Sequence, residues 1–183
     1  LQDSSSEDPA FEDLGAAVKD HRLTWEASEA GWLVAVVTGQ PHDLDYLHPS
    51  VADRWLGMLL GAYDEELGDF IGETLQAHGT DEVFVLNGST LYSPALFGRF
   101  KTEKGYDPAP HLIGLFHDIG PMTDKIRCDY YDLMASMVEE NLYAPLSRGL
   151  EKRGLLYTEF CPNGKSEDML SQTYNYGDFF RYM

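Results

Sequence analysis

Polar and apolar positions change rhythm several times along this chain, and each change predicts an element. Residues 1–9 (LQDSSSEDP) are polar and acidic, and with the ambiguous stretch to residue 20 they read as a flexible lead-in over 1–20. Residues 22–27 (RLTWEA) alternate, and residues 31–38 (GWLVAVVT) form a β-branched apolar run. The turn chemistry of Ser28-Glu29-Ala30-Gly31 between them predicts a β-hairpin within 21–40. After a loop at 42–49 with Pro49 suited to a first helical turn, Val51, Trp55, Met58, Leu59, Ala62 and Leu67 recur at helical spacing and predict a helix to about Gly68.

Residues 83–86 make a compact apolar run that predicts a buried strand, broken by Asn87-Gly88-Ser89. Ser93-Pro94 opens a helix through about Lys104, which Gly105 stops. A proline-rich bend and a short helical turn follow over 106–116. The longest pattern covers 123–153, with Ile126, Tyr130, Leu133, Met134, Met137, Val138, Leu142, Leu146 and Leu150 on one stripe. Pro145 lacks an amide proton and must kink or split that helix; Gly154 ends it, and 155–160 (LLYTEF) predicts the next strand. Residues 161–183 read as irregular, with late helical character. Helices alternating with strands argue for parallel βα units in an α/β fold. Only two or three units are visible, whereas a closed (β/α)₈ barrel needs eight and typically about 250 residues. The 183-residue chain is therefore expected to hold part of such a barrel over 41–183, preceded by the hairpin.

Charge narrows the partners. With 31 acidic residues against 13 basic ones the net charge is −18, so phosphate backbones and anionic membranes are repelled and neither nucleic acid nor a membrane surface is an expected partner. No apolar run is long enough for a membrane span and no signal peptide is evident. Beginning at Leu1, the sequence reads as processed or cut from something larger. Cys128 and Cys161 are too few for a disulfide framework or a zinc site and read as free thiols. Aromatics make up 13%, several in loop-like stretches, which suits the stacking of sugar rings as well as ordinary packing.

Several motifs succeed one another in a suggestive order: Asp45-Tyr46-Leu47-His48-Pro49, Thr80-Asp81-Glu82, residues 100–107 (FKTEKGYD) with Pro110-His111-Leu112, residues 127–132 (RCDYYD), and residues 167–172 (EDMLSQ) with Gly177-Asp178. Together with Leu23-Thr24-Trp25 and Gly31-Trp32, this succession over roughly residues 20–183 resembles the barrel glycosidases grouped with the family-106 α-L-rhamnosidases. The resemblance implies a central segment of a (β/α)₈ catalytic domain from a longer multidomain chain. It also implies hydrolysis of an α-L-rhamnoside-like bond, a carbohydrate substrate, and contact with the rest of the parent chain or self-association of the isolated segment. A secreted or periplasmic parent fits that reading, although location is otherwise open. Two positions depart from the family: Thr158 is followed by Glu159-Phe160 where a Gly-His pair is typical, and Val83 stands where a proline is usual.

Glycoside hydrolysis needs two carboxyl groups, one to protonate the leaving oxygen and one to activate water or attack the anomeric carbon. Glu82 is the first choice for the acid, with Asp81 taking the role if the strand register slips by one. Glu159 and Glu167 are candidates for the second carboxylate. Asp45, Tyr46, Asp81 and Tyr92 are candidate sugar-binding residues, though capping and packing are the ordinary uses of such side chains. No phosphate loop, Ser-His-Asp arrangement or zinc spacing appears. The acidity would suit Ca²⁺, which needs only oxygen ligands, but no motif spells out such a site. Two alternatives remain open: a carbohydrate-binding or scaffold α/β module without turnover, and a plain interaction module.

Overall fold

Asp20 and His21 both carry positive φ, 49° and 60°, the pair of values that a two-residue type I′ reversal requires. The computed structural model describes residues 11–32, 34–38, 44–81, 83, 90–160 (backbone alone at 159–160) and 181. In it this turn joins β1 (Val18–Lys19) to β2 (Arg22–Leu23) in an antiparallel ladder. The reversal thus falls before the one expected at 28–31, and the described residues of 24–38 form no ladder. Asp and His tolerate the left-handed region well enough to replace the glycine signal on which the expectation relied. Trp25 and Trp32 still meet edge to face, 5.5 Å between centroids, so the two expected limbs do approach each other.

The remaining elements are α1 (Val51–Leu67), β3 (Ala77–Asp81), α2 (Pro94–Lys104), α3 (Met122–Val138), α4 (Ala144–Glu151) and β4 (Leu156–Phe160). Short 3₁₀ turns cover Gly68–Phe70 and Ala109–Leu115. The chain divides into two units, one built from 1–41 and 99–130 and the other from 42–98 and 131–183. The protein is a mixture of helix and strand with two small sheets among the described residues.

In the first unit, Phe100, Ile126 and Tyr130 are buried. Gly105, at φ 80°, stops α2 as expected. Tyr106 just beyond it packs edge-on against Phe100 and His111, at centroid distances of 5.1 and 5.7 Å. Its hydroxyl donates to Asp129 of α3 at 2.9 Å, and Lys125 donates to the same carboxylate at 2.7 Å while lying over the Tyr106 ring.

In the second unit, α1 and α4 pack through Leu60 and Leu150, which join Leu155 in a buried cluster flanked by Leu56, Leu59, Ile71, Leu75 and Tyr157. Every apolar residue expected on the stripe from Ile126 to Leu150 is at most 2% exposed. The face expected of α1 is only partly right. Val51 is buried, but Met58 is 74% and Leu67 39% exposed, while Ala52 and Leu60 face inward. Residues 55–60 (WLGMLL) are apolar nearly all the way round, so periodicity there cannot choose a face.

Pro145 splits the long helix by widening it. Residues Glu139–Tyr143 form a π-turn, and the Ala144 amide reaches back to the Glu139 carbonyl. Its physical cause is local: the proline ring crowds the carbonyl four residues earlier and offers it no proton. The helix then ends in a Schellman arrangement. Gly154 stands at φ 76°, its amide donates to Glu151 O at 2.9 Å, and Leu155 donates to Leu150 O at 3.0 Å.

β3 and β4 form a two-stranded parallel sheet with Ala77 opposite Leu156 and Asp81 opposite Phe160. The strand expected at 155–160 is present, but its partner is 77–81. The strand expected at 83–86 lies outside the described residues apart from Val83, which is buried and belongs to no strand. Ala-His-Gly-Thr-Asp carries no apolar run, and that is why hydrophobic patterning passes over it. Gly79 is required here by close approach: a Cβ at that position would stand 2.8 Å from Thr158 Oγ1. The described residues include no closed barrel.

Candidate functional site

Strand alternation gives β3 two different faces. Ala77, Gly79 and Asp81 are exposed, while His78 is half-buried and Thr80 is 6% exposed. Leu156 on β4 is exposed and Tyr157 half-buried. Two polar contacts occupy the inward face. Thr80 Oγ1 and the Tyr157 hydroxyl are hydrogen-bonded at 2.7 Å, and the Tyr63 hydroxyl of α1 meets His78 Nδ1 at 3.1 Å. Burial lowers the His78 pKa, so at neutral pH its imidazole is uncharged and suited to hydrogen bonding with a phenol.

The C-terminal ends of β3 and β4 coincide, and three acidic residues fall at or beside them in the sequence. Asp81 closes β3, Glu159 takes the register position opposite Thr80, and Glu82 is the next residue in the chain after β3. Asp81 stands on the exposed face, away from Thr80 and His78. Glu82 and Glu167, both expected in catalysis, lie outside the described residues, as does Cys161; Cys128 is exposed and free.

A second group forms around the loop before α1. Asp45 Oδ1 accepts the Leu47 amide at 2.9 Å, a local Asx turn, and Oδ2 accepts the hydroxyl of Ser93 at 2.8 Å. Ser93 is 1% exposed, and its Oγ also accepts the Ala95 amide at 3.3 Å, so it caps α2 while tying Asp45 to it. Asp45, Tyr46 and Tyr92 are thereby brought to one loop junction. Tyr92 is 57% exposed and packs on Phe97, 5.2 Å between centroids. His48 serves the turn: its Nδ1 accepts the Ser50 amide at 3.1 Å.

The π-turn links these two groups. Asn141 Nδ2 donates to Leu47 O at 2.8 Å, and Tyr143 lies 6.3 Å from the Tyr157 ring. None of Tyr63, His78, Asn141, Tyr143 and Tyr157 was expected to belong to a site. Pro145 was the one signal available, since π-turns recur beside functional residues. Among the described residues no three of His, Cys, Asp and Glu converge as metal ligands would, and no helix is long and apolar enough to cross a membrane. No family model, curated protein or solved structure matches the chain.

Proposed function

We propose that the chain is a segment of a (β/α)₈ glycosidase acting on an α-L-rhamnoside-like bond, with its chemistry at the C-terminal ends of β3 and β4. The observation that supports it is the in-register parallel pairing of these strands, with Glu82 directly after one and Glu159 within the other. Barrel enzymes work at this end of their strands. Glu82 is the general acid, protonating the leaving glycosidic oxygen. Glu159 or Glu167 is the base that activates water, as in the inverting mechanism that the family resemblance favours. The loop junction of Asp45, Tyr46 and Tyr92 offers an exposed aromatic ring for sugar stacking.

The test is release of reducing sugar from a natural α-L-rhamnoside by the parent chain and by its Glu82→Gln variant. Glutamine keeps the shape and removes the proton, so turnover should fall by about 10²–10⁴-fold. An activated aryl glycoside, whose leaving group needs little protonation, should suffer less. Full activity of the variant on the natural glycoside would defeat the assignment. A non-catalytic carbohydrate-binding module is the second reading. Its support is Glu159-Phe160 in place of a Gly-His pair, and it is recognised by sugar binding without any turnover.

A further inference from the structure

In a chain with 31 acidic and 13 basic residues cations are scarce, and five of those described are held in ion pairs. Arg99, Lys101, Lys125, Arg153 and Arg181 each meet a carboxylate. Lys19 and Arg22 do the opposite. They stand directly across the β1–β2 ladder from one another, both are exposed, and among the described residues neither makes an ion pair. Directly opposed residues hold their Cβ atoms about 4.5–5.5 Å apart, and like charges so placed repel. The type I′ turn at Asp20-His21 fixes this opposition, because a two-residue loop leaves no freedom of register. The same two cations line a surface cavity of about 740 Å³ together with Ala16, Ala17, Asp20 and Thr24. The depression is open to solvent, which suits a small ligand held at the surface rather than one enclosed.

We propose that this cavity binds a small oxyanion, a carboxylate or phosphate group, clamped between Lys19 and Arg22. A bound anion turns the cross-ladder repulsion into two charge-assisted contacts, the arginine fork offering two parallel donors and the lysine a point charge. Thr24 also lines the cavity, and the Asp20 carboxylate in the same lining opposes an anion, so the two cations must outweigh it. This site is independent of the glycosidase reading and stands or falls without it.

The experiment is isothermal titration of the full chain with glucuronate, with inorganic phosphate, and with neutral glucose as control. Lys19→Gln and Arg22→Gln serve as the variants. Both side chains are exposed, and unchanged far-ultraviolet dichroism verifies that the variants fold. One or both anions should bind and glucose should not. Each substitution should weaken the anion about tenfold or more, as expected for loss of one charge-assisted hydrogen bond. Preference for glucuronate identifies a carboxylate ligand, preference for phosphate a phosphorylated one. Absence of binding by both anions, equal binding of glucose, or affinity unchanged in the folded double variant would overturn the proposal.

Discussion

Tyr106→Phe isolates a single interaction in the clamp that follows α2. Phenylalanine retains the ring and both edge contacts, with Phe100 and His111, and deletes only the hydroxyl that donates to Asp129 at 2.9 Å. A hydrogen bond to a charged group contributes about 1.5–3 kcal/mol. The Asp129 side chain is 20% exposed and keeps its Lys125 contact, so water and Lys125 recover part of the loss and about 1.5 kcal/mol is expected. In a domain of this size that lowers the melting temperature by about 3–6 °C. Thermal unfolding followed by circular dichroism measures it, and a cycle with Asp129→Asn separates the pair from the ring. The pH dependence has a definite sign. Burial works to raise the Asp129 pKa, but hydrogen bonds from Lys125 and Tyr106 outweigh it and hold the carboxyl below its ordinary value. Stabilisation is therefore complete above the unfolded pKa near 3.9 and fades as pH falls through the lower folded value. At the alkaline end, burial and the Asp129 contact raise the Tyr106 pKa, so its contribution is complete below about pH 10 and is lost as pH rises through the higher folded value. A Tyr106→Phe variant that melts with the parent, with an unchanged acid limb, would refute this reasoning.

Three further outcomes are expected. Gly149→Ala would drive a Cβ into the Leu56 side chain, and the overpacking should destabilise by about 1–3 kcal/mol in urea unfolding; a neutral result would mean that α1 and α4 pack less closely than described. Ser93→Ala removes both the α2 cap and the Asp45 partner and should cost about 1–2 kcal/mol in the same assay, whereas an exposed control such as Ser28→Ala should cost less. Among the described residues β3 and β4 pair only with each other, and Leu156 is 65% exposed on the outer face; the isolated chain should therefore self-associate at micromolar concentration in sedimentation velocity. A monodisperse monomer would count against an incomplete sheet.

Helices were the most legible part of the sequence because their signals are local. Ser93-Pro94 and Gly105 bracket α2, and the 3.6-residue stripe from Ile126 to Leu150 names residues that all prove buried. Pro145 marks the break but not its form, since a missing amide proton permits a kink as readily as a π-turn. Hydrophobic patterning does not reveal β3 because its inward residues, His78 and Thr80, are polar. They are satisfied by Tyr63 and Tyr157, one 15 and the other 77 residues away, which no local pattern can display. The turn at Asp20-His21 was missed because neither residue is glycine or asparagine. Asp45 has chemistry that the sequence displays, but its bond to Ser93 spans 48 residues and exists only in the fold.

We propose that carboxylates at the C-terminal end of the β3–β4 pair carry glycoside hydrolysis, with Glu82 rather than the outward-facing Asp81 as the acid. Turnover of a natural α-L-rhamnoside by the parent chain carrying Asp81→Asn, compared with Glu82→Gln, tests it most directly. Asp81→Asn should stay within a few-fold of the unsubstituted protein while Glu82→Gln loses about 10²–10⁴-fold. Equal activity of the two variants, or loss confined to Asp81→Asn, would contradict it.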